Sequence, residues 1–536
     1  MSKKSVALLL ILLTLAAFVL AGCDQQAAGD DRVIIALWSE PDGIFNPNLS
    51  SSTYDYYAYA PVFAGLMRYD PDNEYNLVPE LAEKMEMSQD NKSIYFKLRD
   101  DIYFHDGTKV TTADVKWTFE WMCHPDYTGP NASMWQFIEG FEAYNSGEAD
   151  ELSGIEIINE REIRFHLTQV DAPTPANIAT WGISPRHLFE GTPVGELDQH
   201  PAIAKPVGAG PFKFVRYVEG QFIELERYDR YHRGAPRLER IFVKVASPEV
   251  ALAEILTGSS DIAWVQPNDE ELALFEEYGL KVTEFPSGQY QFMGMNLKHQ
   301  ILSDRRVRLA ITHALDREAM IETLFDGRGI VPVGHIPAQS WAFNPSLEPL
   351  PYDRKKAEAL LEEAGWSLGD DGFRYKDGQK LALDLLCVKG PAHRLQNAEI
   401  IQQMLKELGI EIQIELVEPA VVGPRIFGER DFDLFLLGWK MNIDPDPSGI
   451  WLSTDMLNAV GFDHPENDRL IYAGRSVLDR EERKAAYYQW QELLLQEAPY
   501  VWLYSENEAW VSNPRIKGFR PDPFDIYWNV WEWYLE

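Results

Sequence analysis

Leu381-Ala382-Leu383-Asp384-Leu385-Leu386-Cys387-Val388, then Ile400, Ile401, Met404, Leu405 and Leu408 before Gly409, then Ile410, Ile412, Ile414 and Leu416 decide the fold class. The first run is apolar and strand-like. The second repeats at three- and four-residue spacing, which is one face of a helix, and Gly409 ends it. The third alternates apolar and polar residues strictly, the period of a strand with one buried face. Phe432 to Trp439 adds a mostly apolar run suited to a strand buried on both faces. This succession predicts an α/β lobe, and ligands of such lobes tend to sit at the carboxyl ends of the strands.

Upstream, Val307, Ala310, Ile311 and Ala314 make a helical stripe, and Asp316 can cap a second helix ending near Gly327. Ala357, Leu360, Leu361 and Ala364 make a third stripe, stopped by Gly365. The N-terminal half interleaves strands and helices. Arg32 to Trp38 reads as a first strand, and Ser93 to Arg99 places Ile94, Phe96 and Leu98 on one face. His105-Asp106-Gly107 is a turn, Thr111 and Asp114 match a capping box, and Gly154 to Leu167 reads as a hairpin. At 536 residues the chain exceeds the size, about 250–300 residues, at which one core stops growing, so two or more lobes are expected.

The first residues point to a compartment. Lys3 and Lys4 precede an apolar stretch from Val6 to Ala21, short for a membrane-spanning helix, and Leu20-Ala21-Gly22-Cys23 closes it with small residues before a cysteine. That is secretory-signal layout over residues 1–22, and residues 23–31 read as a polar tether. The formal net charge is −35, and losing Lys3 and Lys4 makes it more negative still, which argues against nucleic acid as a partner. Cys123 and Cys387 stand far apart without a C-x-x-C partner, so two buried free thiols are expected rather than a disulfide or zinc site. The eleven histidines show no metal spacing. G-x-S-x-G, H-E-x-x-H, G-x-x-x-x-G-K-[ST] and a complete G-x-G-x-x-G are all missing from the chain. With 84 acidic residues, carboxylate pairs arise by chance and carry no argument for a glycosidase. No enzyme chemistry, metal or cofactor is expected.

Phe96-Lys97-Leu98-Arg99-Asp100-Asp101-Ile102-Tyr103-Phe104-His105-Asp106-Gly107-Thr108, running on to Thr112-Ala113-Asp114-Val115, resembles the signature of the family 5 extracellular solute-binding proteins. These are the oligopeptide, dipeptide and nickel receptors of ABC importers. Val207-Gly208-Ala209-Gly210-Pro211-Phe212-Lys213-Phe214 resembles the family's V-G-T-G-P-Y-K-F, with Ala209 for the usual threonine. Gly258 to Ala263, Asp304 to Asp316, and Tyr352 to Trp366 resemble three further family segments in the right order. Leu-Ala-Gly-Cys likewise resembles the bacterial lipobox, which implies lipidation at Cys23.

The resemblance implies a two-lobed periplasmic-binding-protein type II fold, a hinged clamshell with an extra small domain inserted in lobe I. Lobe I would comprise residues 32–62, 185–287 and 505–536, the extra domain 63–184, and lobe II 288–504. It implies a monomeric extracytoplasmic receptor, anchored to the cell membrane through Cys23, that delivers a peptide to an ABC permease and ATPase complex. Ligand contacts are expected from Ser39 and Glu40 at the end of the first strand, from Trp264 and Gln266, and from Trp439. A peptide ammonium is usually paired with an aspartate shortly after a Gly-Trp. Here the ungapped register after Gly438-Trp439 puts Asn442 there, and Asp444 is the next acid. Leu436 likewise replaces an arginine of some oligopeptide receptors. These departures leave two readings open: Asp444 takes the ammonium, or the ligand is uncharged, such as an oligosaccharide stacked on Trp38, Trp264 or Trp439.

Overall fold

A single strand, Tyr500–Ser512, runs through both halves of the molecule. In this computed structural model, which describes residues 31–37, 39–266, 268–390 and 392–536, it is the spine of a twelve-stranded mixed sheet. Its first part pairs antiparallel with Gln289–Met295, whose other neighbour is Leu434–Lys440, followed by Ala382–Val388 and Glu411–Val417. Its second part pairs with Ile262–Val265 and with Lys281–Pro286; beyond Ile262–Val265 lie Arg32–Leu37, Arg240–Val245, Phe222–Arg227 and Phe212–Val218. The signal segment, Cys23 and Trp38 lie outside the described residues.

The unit that the sequence decides forms as read. Ala382–Val388 pairs parallel with Glu411–Val417, and the helix Ala392–Glu407 connects them. Ile410 and Ile412 are buried while Leu416, on the last strand of the sheet, is exposed. Gly409 adopts φ 89°, the left-handed turn that stops a helix cheaply only with glycine. The helices Arg305–Ala314, Arg317–Phe325 and Arg354–Glu363 begin at Asp304, Asp316 and Asp353, each accepting a backbone N–H of its first turn. Cys123 and Cys387 are free and buried.

Within residues 63–184, where the extra domain was expected, lies a four-stranded antiparallel sheet in the order Ala82–Met87, Ser93–Leu98, Glu162–His166, Ile155–Asn159. Its helix Thr112–Cys123 starts with the expected Thr111–Asp114 capping box, and Phe96, Phe119, Trp135 and Phe165 meet edge to face in its core. The glycines of Val207 to Phe214 are needed where that segment packs on Val62, and His105 joins it from residues 63–184. A Cβ on Gly208 would stand 2.1 Å from the Val62 carbonyl oxygen, and Gly210 donates to that same oxygen at 2.8 Å. His105 closes the seam, its Nε2 3.0 Å from the Gly210 carbonyl. Asp261, buried, holds the first strand by accepting from the Ile34 N–H and from Arg515.

The chain passes between the halves at Ser287–Gly288 and again inside the long strand at Ser505–Asn507. These two crossings are bonded together: Ser287 N–H donates to the Glu506 carbonyl at 3.0 Å, and Ser505 Oγ donates to the Gln289 carbonyl at 2.8 Å. Glu506 sits buried in this hinge with one carboxylate oxygen 3.5 Å from Gln289 Nε2 and the other without a protein partner. Burial pushes its carboxyl up to about 7. A raised carboxyl contributes stability that is fully present below its ordinary value of 4.5 and is lost as pH rises through about 7. Glu506→Gln removes that loss, so the variant should gain up to about 3 kcal/mol on the wild type between acid and mildly alkaline buffer. Thermal melts of both proteins across that range measure it; parallel curves would refute it.

Candidate ligand cavity at the lobe seam

Two aromatic-rich segments from opposite ends of the chain meet beside the seam. The helix Thr53–Tyr59 starts at Ser52, which accepts the Tyr54 N–H, and sets Tyr56 and Tyr59 ring to ring at 5.7 Å. The C-terminal segment brings Asp522, Phe524, Asp525 and Trp528 against it. The hairpin Met67–Asp70/Asn76–Pro79 closes the side through Tyr69 and Tyr75, on a turn where Glu74 and Tyr75 both take positive φ, 52° and 56°. Between them lies a cavity of about 460 Å³, which lobe II touches through Ile443.

Its polar groups are pre-oriented. The Tyr75 hydroxyl donates to Asp522 Oδ2 at 2.6 Å, and the Tyr56 hydroxyl donates to Asp525 Oδ1 at 2.6 Å, with the Tyr527 N–H on the same oxygen at 2.8 Å. Arg68 donates to the Trp528 carbonyl and lies 4.2 Å over the Trp531 ring. Burial lowers the Arg68 pKa and raises those of Asp522 and Asp525. Glu80, also on the wall, is neutralised by Arg233 at 2.9 Å and accepts the Tyr231 hydroxyl.

Among the described residues, none of those expected from sequence is on the wall of this cavity. Trp439 stacks on Phe292 (centroids 6.3 Å apart, 12° between planes) and packs on the lobe II core beside Phe427. Asn442 is exposed. Asp444 does not stand free: both its oxygens receive the Arg483 guanidinium, at 2.7 and 2.8 Å. The residue between them, Ile443, is the one that reaches the cavity. Glu40 accepts the Tyr217 hydroxyl and the Gly220 N–H, tying it to the hairpin turn at 218–222. Ser39 and Gln266 are exposed, and Trp264 is half-buried on the lobe I core, in register with Trp510. The cavity wall went unread because its signal is aromatic density alone. Thr-Tyr-Asp-Tyr-Tyr-Ala-Tyr at 53–59 and Phe-Asp-Ile-Tyr-Trp-Asn-Val-Trp at 524–531 carry it, and nothing in either run says that they meet.

Next to the cavity the extra domain and lobe II are clasped directly. Arg475, at the end of the helix Pro465–Arg475, donates to buried Asp171 at 2.8 Å, lies 3.4 Å from Asp446, and donates to Ser448. Its carbonyl accepts the Ala172 N–H at 2.8 Å, and its guanidinium stands 5.4 Å over Phe137. Burial pushes the Asp446 carboxyl up to about 6.

The cavity is walled by lobe I and residues 63–184 and reached from lobe II by Ile443, and the chain belongs to the bacterial extracellular solute-binding proteins, family 5, whose middle region matches residues 76–459. It is 29% identical over 477 residues to the oligopeptide-binding protein AppA of Bacillus subtilis (strain 168), covering 87% of this chain and 84% of that one. The structure of B. subtilis AppA in complex with a nonapeptide matches at a TM-score of 0.77 and 27% identity, over 94% of this chain and 99% of that one. NikZ from Campylobacter jejuni, in complex with Ni(L-His), matches at 0.77 and 25% identity, over 94% and 100%. The fold is therefore the type II periplasmic-binding-protein fold, and the relatives are substrate-binding proteins of transporters, several of them for peptides. Among the described residues no helix is long and apolar enough to cross a membrane.

The clasp gives a test independent of any ligand. Truncating one member of a buried, hydrogen-bonded charge pair costs about 2–5 kcal/mol, and here that loss falls on the contact between lobes. Arg475→Ala should therefore open the molecule, seen as a larger radius of gyration in small-angle scattering, with each lobe's secondary structure unchanged. An unaltered scattering curve would show that the clasp does not hold the lobes together.

Proposed function

We propose that this chain is the extracytoplasmic, lipid-anchored receptor of an ABC importer, and that it captures peptides at the lobe seam for delivery to the membrane permease and its ATPase. The observation that carries this reading is the cavity: about 460 Å³, walled by aromatic rings and touched by lobe II through Ile443. That volume lies in the usual range of ligand pockets, about 300–1,000 Å³. Ring faces accept side chains of many shapes, while the tyrosine hydroxyls and carboxylates give fixed polar points. A peptide, with a repeating backbone and variable side chains, suits such a wall. A ligand there contacts both lobes only when they meet, so binding biases the hinge toward the closed form that the permease would read. The likeness to AppA in complex with a nonapeptide supports peptide as the cargo. No bond is made or broken: the ligand is expected to leave as it came.

Calorimetry of the mature protein against a mixed peptide library, an oligosaccharide panel and nickel with histidine separates the ligand classes. Peptides should bind and should quench or shift the tryptophan fluorescence as the lobes close. Binding confined to sugars or to the nickel complex would overturn the peptide reading while leaving the receptor fold intact.

The anchor is tested separately. With Leu20-Ala21-Gly22-Cys23 as the processing site, Cys23→Ser should leave the protein in the soluble extracytoplasmic fraction with its peptide binding unchanged, since the cavity wall begins at Pro47. An unmodified Cys23 in the intact mass of the mature wild type would refute lipidation. Acyl chains contribute about 0.8 kcal/mol per buried CH₂, so a diacylated cysteine suffices to hold a body of this size at the bilayer.

A further inference from the structure

We propose that Asp525 is the residue that receives the cationic nitrogen of the ligand, a role for which Asp444 is already occupied; this rests on the peptide reading above. Four ionisable acids and bases on the cavity wall set its charge: Arg68, Glu80, Asp522 and Asp525. Glu80 is matched by Arg233, which leaves Arg68 against two aspartates and one carboxylate in excess. Asp522 is spent locally. Its Oδ2 accepts the Tyr75 hydroxyl and its Oδ1 accepts the N–H groups of Phe524 and Asp525.

Asp525 is different. Oδ1 is fixed by Tyr56 and the Tyr527 N–H, whereas Oδ2 has no hydrogen-bond partner and the carboxylate forms no ion pair among the described residues. Arg68 and Lys440 act on it only at a distance. It lies deep in the molecule yet keeps accessible surface, because it faces the cavity. A carboxylate held by one oxygen, with the other turned to a ligand-sized space and no counter-ion in contact, is built to receive an ammonium or guanidinium. That nitrogen comes either from a peptide N-terminus or from a basic side chain. The aromatic wall around it, with Tyr56, Tyr59 and Trp528, favours the same charge through ring faces.

The experiment compares wild type, Asp525→Asn and Asp444→Asn by calorimetry on matched peptides: free amine without lysine or arginine, the same peptide acetylated, and the acetylated peptide with one lysine. Asparagine keeps the acceptor for Tyr56 and Tyr527 and loses only the charge, and circular dichroism melts verify folding. Asp525→Asn should weaken the free-amine peptide at least tenfold and leave the acetylated, lysine-free peptide within twofold. A loss for the lysine peptide as well assigns the site to any cationic nitrogen; a loss for the free amine alone assigns it to the terminus. Tyr56→Phe, which loosens Asp525 without removing it, should weaken the same peptides less and in the same order. Equal losses for free and acetylated peptides, or losses confined to Asp444→Asn, overturn the proposal. If the wild type binds no peptide, the peptide reading fails and this proposal with it, an outcome distinct from intact binding that ignores Asp525.

Discussion

Thirteen residues, Tyr500 to Ser512, impose the constraint on which the rest of the structure depends. One unbroken strand must satisfy its N–H and C=O groups in lobe II at one end and in lobe I at the other, since a buried backbone group without a partner is costly. The lobes can rotate only as far as that strand and its companion at Ser287–Gly288 bend without breaking ladder bonds. The bulge between Gln291 and Phe292 in the pairing with Tyr500–Ser512 falls beside this point, where one extra residue lets the ladder turn.

Two kinds of contact cross that seam, and they differ in what they demand. The clasp of Arg475 with Asp171 and Asp446 joins the extra domain to lobe II without any ligand. Its charges are hydrogen-bonded on several sides, which is the condition under which a buried ion pair is retained rather than penalised. The Arg483–Asp444 pair is a second such element, close enough to act on the Tyr69 hydroxyl of the extra domain. The cavity between them offers rings and half-satisfied carboxylates, which reward closure only when something fills the space.

The scaffold was legible in the sequence because its signals are local. Strict alternation at Ile410 to Leu416, a stripe at Ile400 to Leu408, an aspartate before each of three helices, and the capping box at Thr111 each concern neighbours in the chain. The glycines of Val207 to Phe214 were visible as a motif, but the reason for them, the Val62 carbonyl that a Cβ would clash with, belongs to a turn about 150 residues away. The cavity is less legible for the same reason. Its wall joins residues near 56 to residues near 525, and no periodicity encodes that meeting. In the loop from Gly438 to Asp446, placed near the ligand by resemblance, the hydrophobic Ile443 reaches the cavity while Asn442 is exposed and Asp444 turns to Arg483.

Asp444 and Asp525 show why residue type alone is a weak guide to such a site. Both are aspartates beside the same cavity, and a sequence reading has no means to rank them. Asp444, immediately before Pro445, faces the helix Arg480–Glu497, and Arg483 on that helix presents both ends of its fork to the two carboxylate oxygens. Asp525 meets only a hydroxyl and one backbone N–H, both on the same oxygen. The first arrangement spends the charge on holding the loop; the second leaves a half-buried carboxylate with one oxygen unpaired among the described residues. What separates a structural from a ligand-facing carboxylate here is the number of its lone pairs already taken, a quantity set by helices and loops hundreds of residues apart.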